Sequence, residues 1–430
     1  MEDFVSRFLR EHGLDEDTPR GRDVRRDFPR GTGAPMRASE LMDSITQFSG
    51  FDQATDVVED GGITYFVNEF WTSRQRQANR LHEISYRACF KPQLPAFFID
   101  RVTDRGDRVF DPFMGRGTTP LQAALTGRFP VGNDINPLSR MLVRPRLRPP
   151  DLVGVSERLD DIDWHRGGCA STDLSAFYSE TTLRQILSLR IYLLERDASG
   201  NLDEVDDWIR MVALNRLTGH SSGFFSVYTL PPNQACSVER QRKINLKREQ
   251  TPPDRNVPAI ILKKSKSLLS QMETPIRSDC LLGTGPASDT AFIDGASIDL
   301  VVTSPPFLDV VHYAKDNWLR CWFAGIDASD VPISMHRKVS DWQEFVRGVL
   351  REQARIVRAG GVIAFEVGEV RNGNVLLEHN VVAACEGLPL KVHGVLINQQ
   401  EFTKTSNSWG VANGSKGTNT NRVVIMERVS

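Results

Sequence analysis

The fold can be inferred from eleven consecutive residues, Val109-Phe110-Asp111-Pro112-Phe113-Met114-Gly115-Arg116-Gly117-Thr118-Thr119. An apolar dipeptide leads into an acid, two glycines and a threonine pair, which predicts a strand ending at Asp111, a sharp turn and a helix starting near Thr118. Glycine at 115 and 117 allows unusual backbone dihedrals and lets a ligand approach the main chain. Such a strand-turn-helix at the carboxyl edge of a parallel sheet is a common site for a nucleotide-like cofactor. Alone, a Gly-x-Gly turn is more often just a tight connection.

Two familiar phosphate-binding patterns are excluded at this turn. Pro120 stands where the dinucleotide fingerprint requires a third small residue, and the chain has no Gly-Lys-Ser/Thr loop. A second stretch adds independent information, because an apolar strand there ends in a hydroxyl pair, two prolines and an aromatic ring: Leu300-Val301-Val302-Thr303-Ser304-Pro305-Pro306-Phe307.

Together the two stretches resemble the S-adenosylmethionine-dependent amino-methyltransferases. Their Asp-Pro-Phe-x-Gly-x-Gly-Thr-Thr turn binds the cofactor and their Ser/Asp/Asn-Pro-Pro-Tyr/Phe loop receives the target amine. The Thr-Ser-Pro-Pro-Phe form looks most like the DNA cytosine-N4 branch. The resemblance implies catalytic roles for Ser304, Pro305, Pro306 and Phe307, and cofactor contacts from Lys91, Pro92, Asp111, Pro112, Phe113, Gly115, Gly117, Thr118, Thr119, Asp134 and Asp279.

Three of these contacts have competing interpretations. Lys91-Pro92 before an apolar helix resembles the element that lines the methionine end of the cofactor, but Lys-Pro before a helix is common. Asp134, after a predicted strand at 129–132, would accept hydrogen bonds from the ribose hydroxyls. The alternative is a helix cap, and Asp134 and Asn136 could divide the two roles. Asp279, after a predicted strand at 274–278, fits the acid that contacts the adenine amino group in the family, although it could be a simple turn residue.

Composition limits the class of protein to which the chain can belong. The 430 residues are 40% hydrophobic and 25% charged, as in soluble globular proteins. We expect no membrane association, because no apolar run is long enough for a membrane helix and the N-terminus shows no signal-peptide pattern. The six cysteines are widely spaced, and the histidines lack metal-ligand spacing. These features favour a reducing, cytoplasmic location and no metal site.

The predicted fold is α/β, a Rossmann-like class I methyltransferase sheet with an antiparallel final strand and a mostly helical insertion. Residues 1–60 are expected to form a partly ordered N-terminal arm, with helices possible at 2–12 and 38–48. Residues 61–150 would carry the cofactor turn and end in a proline-punctuated linker at 137–150. Residues 151–272 would form the helical insertion, and residues 273–430 the second part of the catalytic domain. The latter would include a Thr/Ser/Asn/Gly-rich loop at 403–420.

The insertion is a candidate target-recognition region. Residues 238–266 contain nine Lys/Arg against three acids, although the whole chain has a net charge of −2. Aromatic and amide side chains precede this segment, so stacking, base-edge hydrogen bonds and phosphate neutralisation are all available. The alternative is a helical cap over the active site with a solvated basic face. The predicted DNA contacts are Arg240, Arg242, Lys243, Lys247 and Arg248.

The chemistry expected at the second loop is direct methyl transfer to an exocyclic amine. Such an amine is a weak nucleophile because its lone pair is delocalised into the ring. The Ser304 hydroxyl and the Pro305 carbonyl could bind its hydrogens, and Phe307 could stack on a base swung out of the duplex. Cytosine-C5 methylation is set aside, because that chemistry needs a cysteine after a proline and none of the six occupies such a position.

The resulting expectation is a methyltransferase that modifies a base in double-stranded DNA, with cytosine N4 as the favoured target. Adenine-N6 methylation, RNA guanine-N2 methylation and a catalytically silent nucleic-acid-binding protein remain alternatives. The resemblance also raises a cognate restriction enzyme as a partner, on which the sequence is silent. The hypothesis requires Gly117 and Ser304 to meet at one cleft.

Overall fold

The computed structural model describes residues 34–50, 53–71, 78–86, 89–170, 172–229, 235–270, 276–308, 313–333, 336–370, 375–399 and 420–430. Its strands are β1 (Ser49–Gly50), β2 (Gln53–Ala54), β3 (Asp56–Asp60), β4 (Ile63–Asn68), β5 (Arg108–Asp111), β6 (Phe129–Gly132), β7 (Leu281–Leu282), β8 (Ile298–Thr303), β9 (Val357–Val367), β10 (Glu369–Val370), β11 (Val375–Leu376), β12 (Leu390–Gln399) and β13 (Thr420–Arg428).

The helices within these ranges are α1 (Ala38–Thr46), α2 (Gln93–Val102), α3 (Thr118–Leu125), α4 (Pro137–Leu147), α5 (Leu152–Asp161), α6 (Glu180–Ala198), α7 (Glu204–Leu214), α8 (Val238–Lys247), α9 (Val257–Leu269), α10 (Tyr313–Ala324), α11 (Val339–Ile356) and α12 (Leu377–Ala384). A single 3-10 turn at Arg80–His82 precedes α2 in the part of the chain described.

One nine-stranded sheet organises these elements in the spatial order β3-β4-β12-β13-β9-β8-β5-β6-β7. The strands from β9 to β7 are parallel, whereas β13 is antiparallel to both β9 and β12. The predicted final antiparallel pair and the α/β class are therefore confirmed. From β5 the chain passes to β6 on one side, and later places β8 on the other. This change of direction opens a crevice at the carboxyl ends of β5 and β8.

The central strands are buried on both faces because their side chains alternate between two cores. On β8, Val301 packs toward α11 and α12, while Leu300 and Val302 pack toward α1, α2 and α3. All three side chains are fully buried, and each such burial contributes roughly 1.5–3 kcal/mol. The apolar runs that predict β5 and β8 thus become the rigid base from which the two loops project.

The N-terminal segment, from residue 34 onward, is part of this domain. Leu41 and Ile45 of α1 are buried against the sheet, and the Met36 amide donates to the Arg101 carbonyl at 2.9 Å. β3 adds an edge strand to β4. Residues 34–60 therefore do not form a separate arm, because their apolar side chains complete a core. The helix predicted at 2–12 lies outside the described residues.

The linker prediction for residues 137–150 is wrong, since most of them form α4. Asn136 caps this helix by accepting from the Leu138 amide at 3.0 Å, and Pro137 occupies the first turn, where a proline is tolerated. Pro145 lies inside the helix, but Leu142 and Leu147 are fully buried. Burial of this apolar face outweighs the hydrogen bond that the internal proline removes.

The insertion is helical, as predicted, and its core is continuous with the catalytic domain. Trp208 of α7 is fully buried and donates from Nε1 to the Ser265 hydroxyl of α9 at 2.9 Å. The same core includes Leu121 of α3 and Leu142 of α4. The insertion is thus fixed against the sheet side that carries the cofactor turn.

No helix in the described ranges is long and apolar enough to cross a membrane. The loop predicted at 403–420 lies, except for its last residue, outside these ranges.

Candidate active site

The glycine turn after β5 adopts a backbone that requires glycine. Gly115 and Gly117 have φ of 48° and 76°. A Cβ on Gly117 would lie 2.3 Å from Val143 Cγ2, a distance that α4 cannot accommodate without moving. The turn leads into α3 at Thr118, as predicted, so the first amide groups of that helix lie at the carboxyl edge of the sheet. A helix N-terminus of this kind favours anionic or polar ligand groups.

The two predicted loops meet at this edge. Asp111 Oδ1 accepts from the Thr303 hydroxyl at 2.7 Å and from the Phe113 amide at 3.0 Å. The Thr119 hydroxyl donates to the Val302 carbonyl at 3.0 Å. Hydrogen bonds therefore join the cofactor turn directly to the residues before Ser304.

Asp111 is an unusual carboxyl group because it is almost completely buried. Burial raises its pKa to about 7, against the opposing hydrogen bonds from Thr303 and Phe113 and with a further increase from nearby Asp134. The group is therefore partly protonated near neutral pH. Its role here is to hold the turn and the second loop together.

Asp134 stabilises the turn from the adjacent strand end. Its Oδ2 accepts from the Gly115 amide at 2.8 Å and its Oδ1 from the Asn136 amide at 2.8 Å. Helix capping, one of the two roles that the sequence left open for Asp134, is performed by Asn136. Burial raises the pKa of Asp134, and the bonds from Asn136 and Gly115 oppose that rise. A carboxylate has about four lone-pair sites, so each oxygen can accept a further hydrogen bond.

A third strand end, after β7, adds residues that the sequence reasoning missed. The Asn133 side chain donates to the Gly285 carbonyl at 2.8 Å, while its buried Oδ1 has no hydrogen-bond partner among the residues that the structure describes. The ring of Phe292 covers Gly283, where an added Cβ would lie 2.2 Å from the ring. The glycines at 283 and 285, just after the short strand β7, could have indicated a second place where the backbone has no room for a side chain.

Asp279 does not join this group. The sequence predicts it at the end of a strand, but in the structure it precedes β7 and so lies toward the amino end of the sheet. Its exposed carboxylate forms an ion pair with Arg148. The strand begins at Leu281, later than the periodicity of residues 274–278 indicates, and this shift moves Asp279 to the opposite end.

Ser304 has a buried acidic partner that the sequence reasoning also missed. The Ser304 hydroxyl donates to the carboxylate of Glu366, and the Asn421 side chain donates to Glu366 Oε1 at 3.1 Å. Glu366 is 7% exposed, and this burial raises its pKa, opposed by the two hydrogen bonds. An acid near the end of the apolar strand 362–367 is the signal that could have identified it.

The rest of the Pro-Pro loop is held by aromatic side chains. Trp342 donates from Nε1 to the Pro306 carbonyl at 2.8 Å. The ring of Phe307 lies against Gly368, where a Cβ would come within 2.9 Å of it. Pro305, which precedes Pro306, is buried. Because prolines lack an amide donor and have a restricted φ, this loop presents carbonyl and hydroxyl oxygens on a stiff backbone.

Buried guanidinium groups hold the segment before α2 against the glycine turn. Arg116 donates to the Ile84 carbonyl at 2.9 Å and to the Phe90 carbonyl at 3.2 Å. Lys91 lies close enough for Arg116 to help lower its pKa, after the larger effect of burial. Lys91 and Pro92, which begin the approach to α2, are thereby brought near the turn, as the resemblance implies.

The basic residues of the insertion lie on and just after α8. The residues just before this helix are attached to α10, the helix that follows the loop of Ser304: the Ala235 amide donates to the Asp316 carbonyl at 3.1 Å, and Trp318 Nε1 donates to the Cys236 carbonyl at 3.2 Å. Exposed along α8 and its C-terminal end are Arg240, Arg242, Lys243, Lys247 and Arg248. The predicted DNA contacts therefore lie on one exposed helix and its C-terminal end, and the residues before this helix connect it to α10.

No cluster of three or more His, Cys, Asp or Glu in the described part of the chain could hold a metal ion. The arrangement instead combines a glycine turn, an acid on the neighbouring strand, and a serine paired with a buried carboxylate. These groups can bind a nucleoside-like ligand, orient a polar hydrogen donor and accept a proton.

Comparisons with known proteins find similarity in the part of the chain that contains the glycine turn. Residues 58–139 match the sequence model of the N6/N4 methyltransferase family, described as DNA methylase. The match confirms the resemblance to the DNA amino-methyltransferases; it includes the glycine turn and Asp134 and ends before Ser304.

Two curated relatives share this region. The type II methyltransferase M.MjaII of Methanocaldococcus jannaschii is 33% identical over 91 residues, 21% of this chain and 17% of that protein. The type II methyltransferase M.MvaI of Kocuria varians is 31% identical over 96 residues, 22% of this chain and 21% of that protein. The matched region thus spans about a fifth of each relative. Among solved structures, the rRNA methyltransferase aviRa of Streptomyces viridochromogenes aligns over 83% of this chain and 93% of its own, with 12% identity and a TM-score of 0.34.

Proposed function

We propose that this chain is an S-adenosylmethionine-dependent DNA methyltransferase that modifies an exocyclic amine of a nucleobase. One observation carries the proposal: the Ser304 hydroxyl, bonded to the buried Glu366 carboxylate, lies beside a glycine turn at the sheet's change of direction. A binding turn and a hydrogen-bonded acceptor pair in one crevice are what amine methylation needs.

The turn fits the cofactor. At Gly115 the left-handed backbone carries no side chain, so a ligand can approach the main chain there. The Asp134 oxygens retain lone pairs that can accept from ribose hydroxyls. At the adjoining strand end, Asn133 Oδ1 is a buried acceptor without a partner, beside the Phe292 ring. Bound S-adenosylmethionine supplies an electrophilic methyl group. We propose that Lys91, Pro92, Gly115, Gly117, Thr118, Thr119 and Asp134 line its site, while Asp111, Pro112 and Phe113 shape the turn.

The catalytic loop would activate the amine by positioning it. The Ser304 hydroxyl and the Pro305 carbonyl accept the amine hydrogens, which favours a pyramidal nitrogen and directs its lone pair into the crevice. Phe307 provides a flat surface for the base. Orientation of this kind supplies most of the acceleration in a direct, in-line transfer.

Glu366 completes this scheme as the proton acceptor. A methylated amine must lose a proton, and the hydrogen bond between Ser304 and the buried Glu366 carboxylate supports a path for it. The proton would pass from nitrogen to the Ser304 oxygen as the Ser304 proton moves to Glu366. The raised pKa of Glu366 suits this role, because general-base efficiency is greatest when the pKa approaches the working pH.

Duplex DNA is the proposed substrate. The basic residues of α8, together with Arg248, are the proposed phosphate contacts. The family match and the type II methyltransferase relatives support DNA as the substrate. On the same grounds we propose a cognate restriction enzyme as a partner. The Ser-Pro-Pro-Phe form favours cytosine N4 over adenine N6. A base in a duplex must be swung out to reach this crevice.

A nucleoside analysis tests the proposal directly. The protein is incubated with methyl-labelled S-adenosylmethionine and, separately, duplex DNA or tRNA, and the digested nucleosides are identified by mass spectrometry. We expect label in N4-methylcytosine from DNA. Label in N6-methyladenine would correct the target base, and label in tRNA guanine would make RNA the substrate. The absence of label from every nucleoside would refute the proposed methyltransferase activity.

A further inference from the structure

Helix α8 has distinct inner and outer faces. On the inner face, the buried Gln241 donates to the Tyr228 carbonyl at 3.0 Å, and Asn245 donates to the Ala176 carbonyl at 2.7 Å. Residues three and four positions apart share a helix face, so Lys243 and Leu246 lie together on the opposite side. The helix is thus anchored by polar contacts and presents a defined surface outward.

An exposed leucine lies in the middle of that surface. Leu246 is 82% exposed, the highest value among the large apolar side chains in the described ranges. A single exposed leucine is ordinary on a protein surface. Its setting is not, because Arg242 and Lys243, four and three positions before it, share its helix face, Lys247 follows it, and Glu239 is the one acid of the helix.

Most of this charge is not neutralised by the protein. Arg242 pairs with Asp173 at 2.7 Å, whereas Arg240, Lys243 and Lys247 form no ion pair with any residue that the structure describes. Free cations around an apolar tip match the surface of a nucleic acid, where phosphates flank the apolar and polar base edges.

The position of α8 supports a role next to catalysis. The residues just before its N-cap are attached to α10 through Trp318 and Asp316, and α10 follows the loop that carries Ser304. A helix of about 10–12 Å diameter fits a major groove of about 12 Å width.

We propose that α8 docks in the major groove of duplex DNA, with Leu246 contacting base edges and Lys243 and Lys247 contacting phosphates. Leu246 is then a specificity-determining residue, and the lysines supply affinity that does not depend on sequence. An apolar side chain in the groove recognises the methyl group of thymine or excludes polar base edges by shape. This inference rests on the proposed function and adds the element that reads the sequence.

The experiment separates the two contributions. DNA methylated by the wild-type enzyme is first sequenced to define the modified site. Binding to a duplex with that site and to a scrambled duplex is then measured over a range of salt concentrations for wild type, Leu246→Ala and Lys243→Ala/Lys247→Ala. Val153→Ala is the matched control, because Val153 of α5 is also a solvent-facing apolar residue, 65% exposed, and lies outside the basic surface.

For Leu246→Ala we expect the preference for the cognate duplex to fall about fivefold or more, with an unchanged salt dependence. For the double lysine variant we expect both duplexes to bind more weakly, and the slope of log affinity against log salt to decrease by roughly 2. Val153→Ala should match wild type, and melting curves should show all variants folded. A Leu246→Ala enzyme that methylates DNA with undiminished preference overturns the inference alone, as does an unchanged salt slope for the lysine variant. A wild-type protein that methylates no DNA refutes the proposed function first, and this inference with it.

Discussion

Replacing Glu366 with glutamine tests the proposed proton path most directly. Glutamine keeps the size of the side chain, and its Oε1 can still accept from Ser304 and Asn421. It cannot accept a proton. The substitution therefore removes the chemistry of Glu366 while preserving both hydrogen bonds that hold it.

The expected loss lies in turnover. Removal of a positioned proton acceptor usually lowers the rate by about 10²–10⁴-fold, which corresponds to roughly 3–5 kcal/mol of transition-state stabilisation. Binding of S-adenosylmethionine should stay within about twofold of wild type, because Glu366 makes no described contact with the glycine turn. The wild-type rate should rise with pH as Glu366 ionises through its raised pKa, and this rise should be absent in Glu366→Gln.

Stability should move in the opposite direction to activity. Burial raises the pKa of Glu366, so its charged form destabilises the folded state at neutral pH and the glutamine variant should melt at the same temperature or higher. Glu352→Gln is the matched control: Glu352 is also buried, but hydrogen bonds from Arg355 and Thr290 outweigh burial and lower its pKa. It should lose stability, roughly 2 kcal/mol, and keep its turnover per folded molecule.

The assay combines single-turnover methylation, calorimetric titration with S-adenosylmethionine and thermal melting on the three proteins. Retention of at least a third of the wild-type rate by Glu366→Gln, with the same pH profile, would remove Glu366 from the mechanism. A Glu366→Gln protein that unfolds like Glu352→Gln would show a structural role instead.

Three further outcomes follow from the same site. Gly117→Ala should lose roughly 2 kcal/mol or more of stability in a urea titration and at least tenfold in S-adenosylmethionine affinity, because it combines a left-handed φ with a clash against Val143. Gly106→Ala is the control, because Gly106 is also left-handed but lies in open space, and it should lose only about 1 kcal/mol. Asp111, with a pKa raised to about 7, binds more protons folded than unfolded, so stability should fall as pH rises from about 4 to 7; Asp111→Asn should flatten that part of the melting profile, and an unchanged slope would contradict the shift. Ser304→Ala should lower turnover about 10²-fold or more with cofactor affinity intact, and full turnover would reject its catalytic role.

The parts of this site that were predictable from the sequence are local. β5, the glycine turn and the start of α3 are contiguous, and each has its own signal: an apolar run, left-handed glycines and a threonine pair. The same holds for β8 and the loop from Ser304 to Phe307, where prolines end a buried strand. Local signals also identified the antiparallel pair of β12 and β13.

The missed residues depend on pairing between distant parts of the chain. Glu366 meets Ser304 because β8 and β9 are parallel neighbours with Thr303 opposite Phe365, and no periodicity encodes that register. Asp279 was placed at the wrong strand end because β7 is only two residues long, too short for a periodic pattern to fix its limits. α4 was missed for a different reason: its prolines favour a linker locally, and only packing of its apolar face overrides them.

The strand order also explains how a long insertion can separate the two loops in sequence without separating them in space. The chain leaves the sheet after β6 and returns at β7, which lies at the edge of the sheet, whereas β5 and β8 are direct neighbours with Val109 opposite Leu300. The 148 residues between Gly132 and Leu281 can therefore include the helices for which we propose DNA recognition without separating the two loops in space. Several contacts join them to the rest of the domain. Lys264 of α9 pairs with Glu83 at 2.8 Å, and Arg320 of α10 donates to the Leu214 carbonyl of α7 at 3.3 Å and to the Ser85 carbonyl at 2.7 Å. The proposed recognition helix α8 is attached through Trp318 to α10, the helix that follows the loop of Ser304.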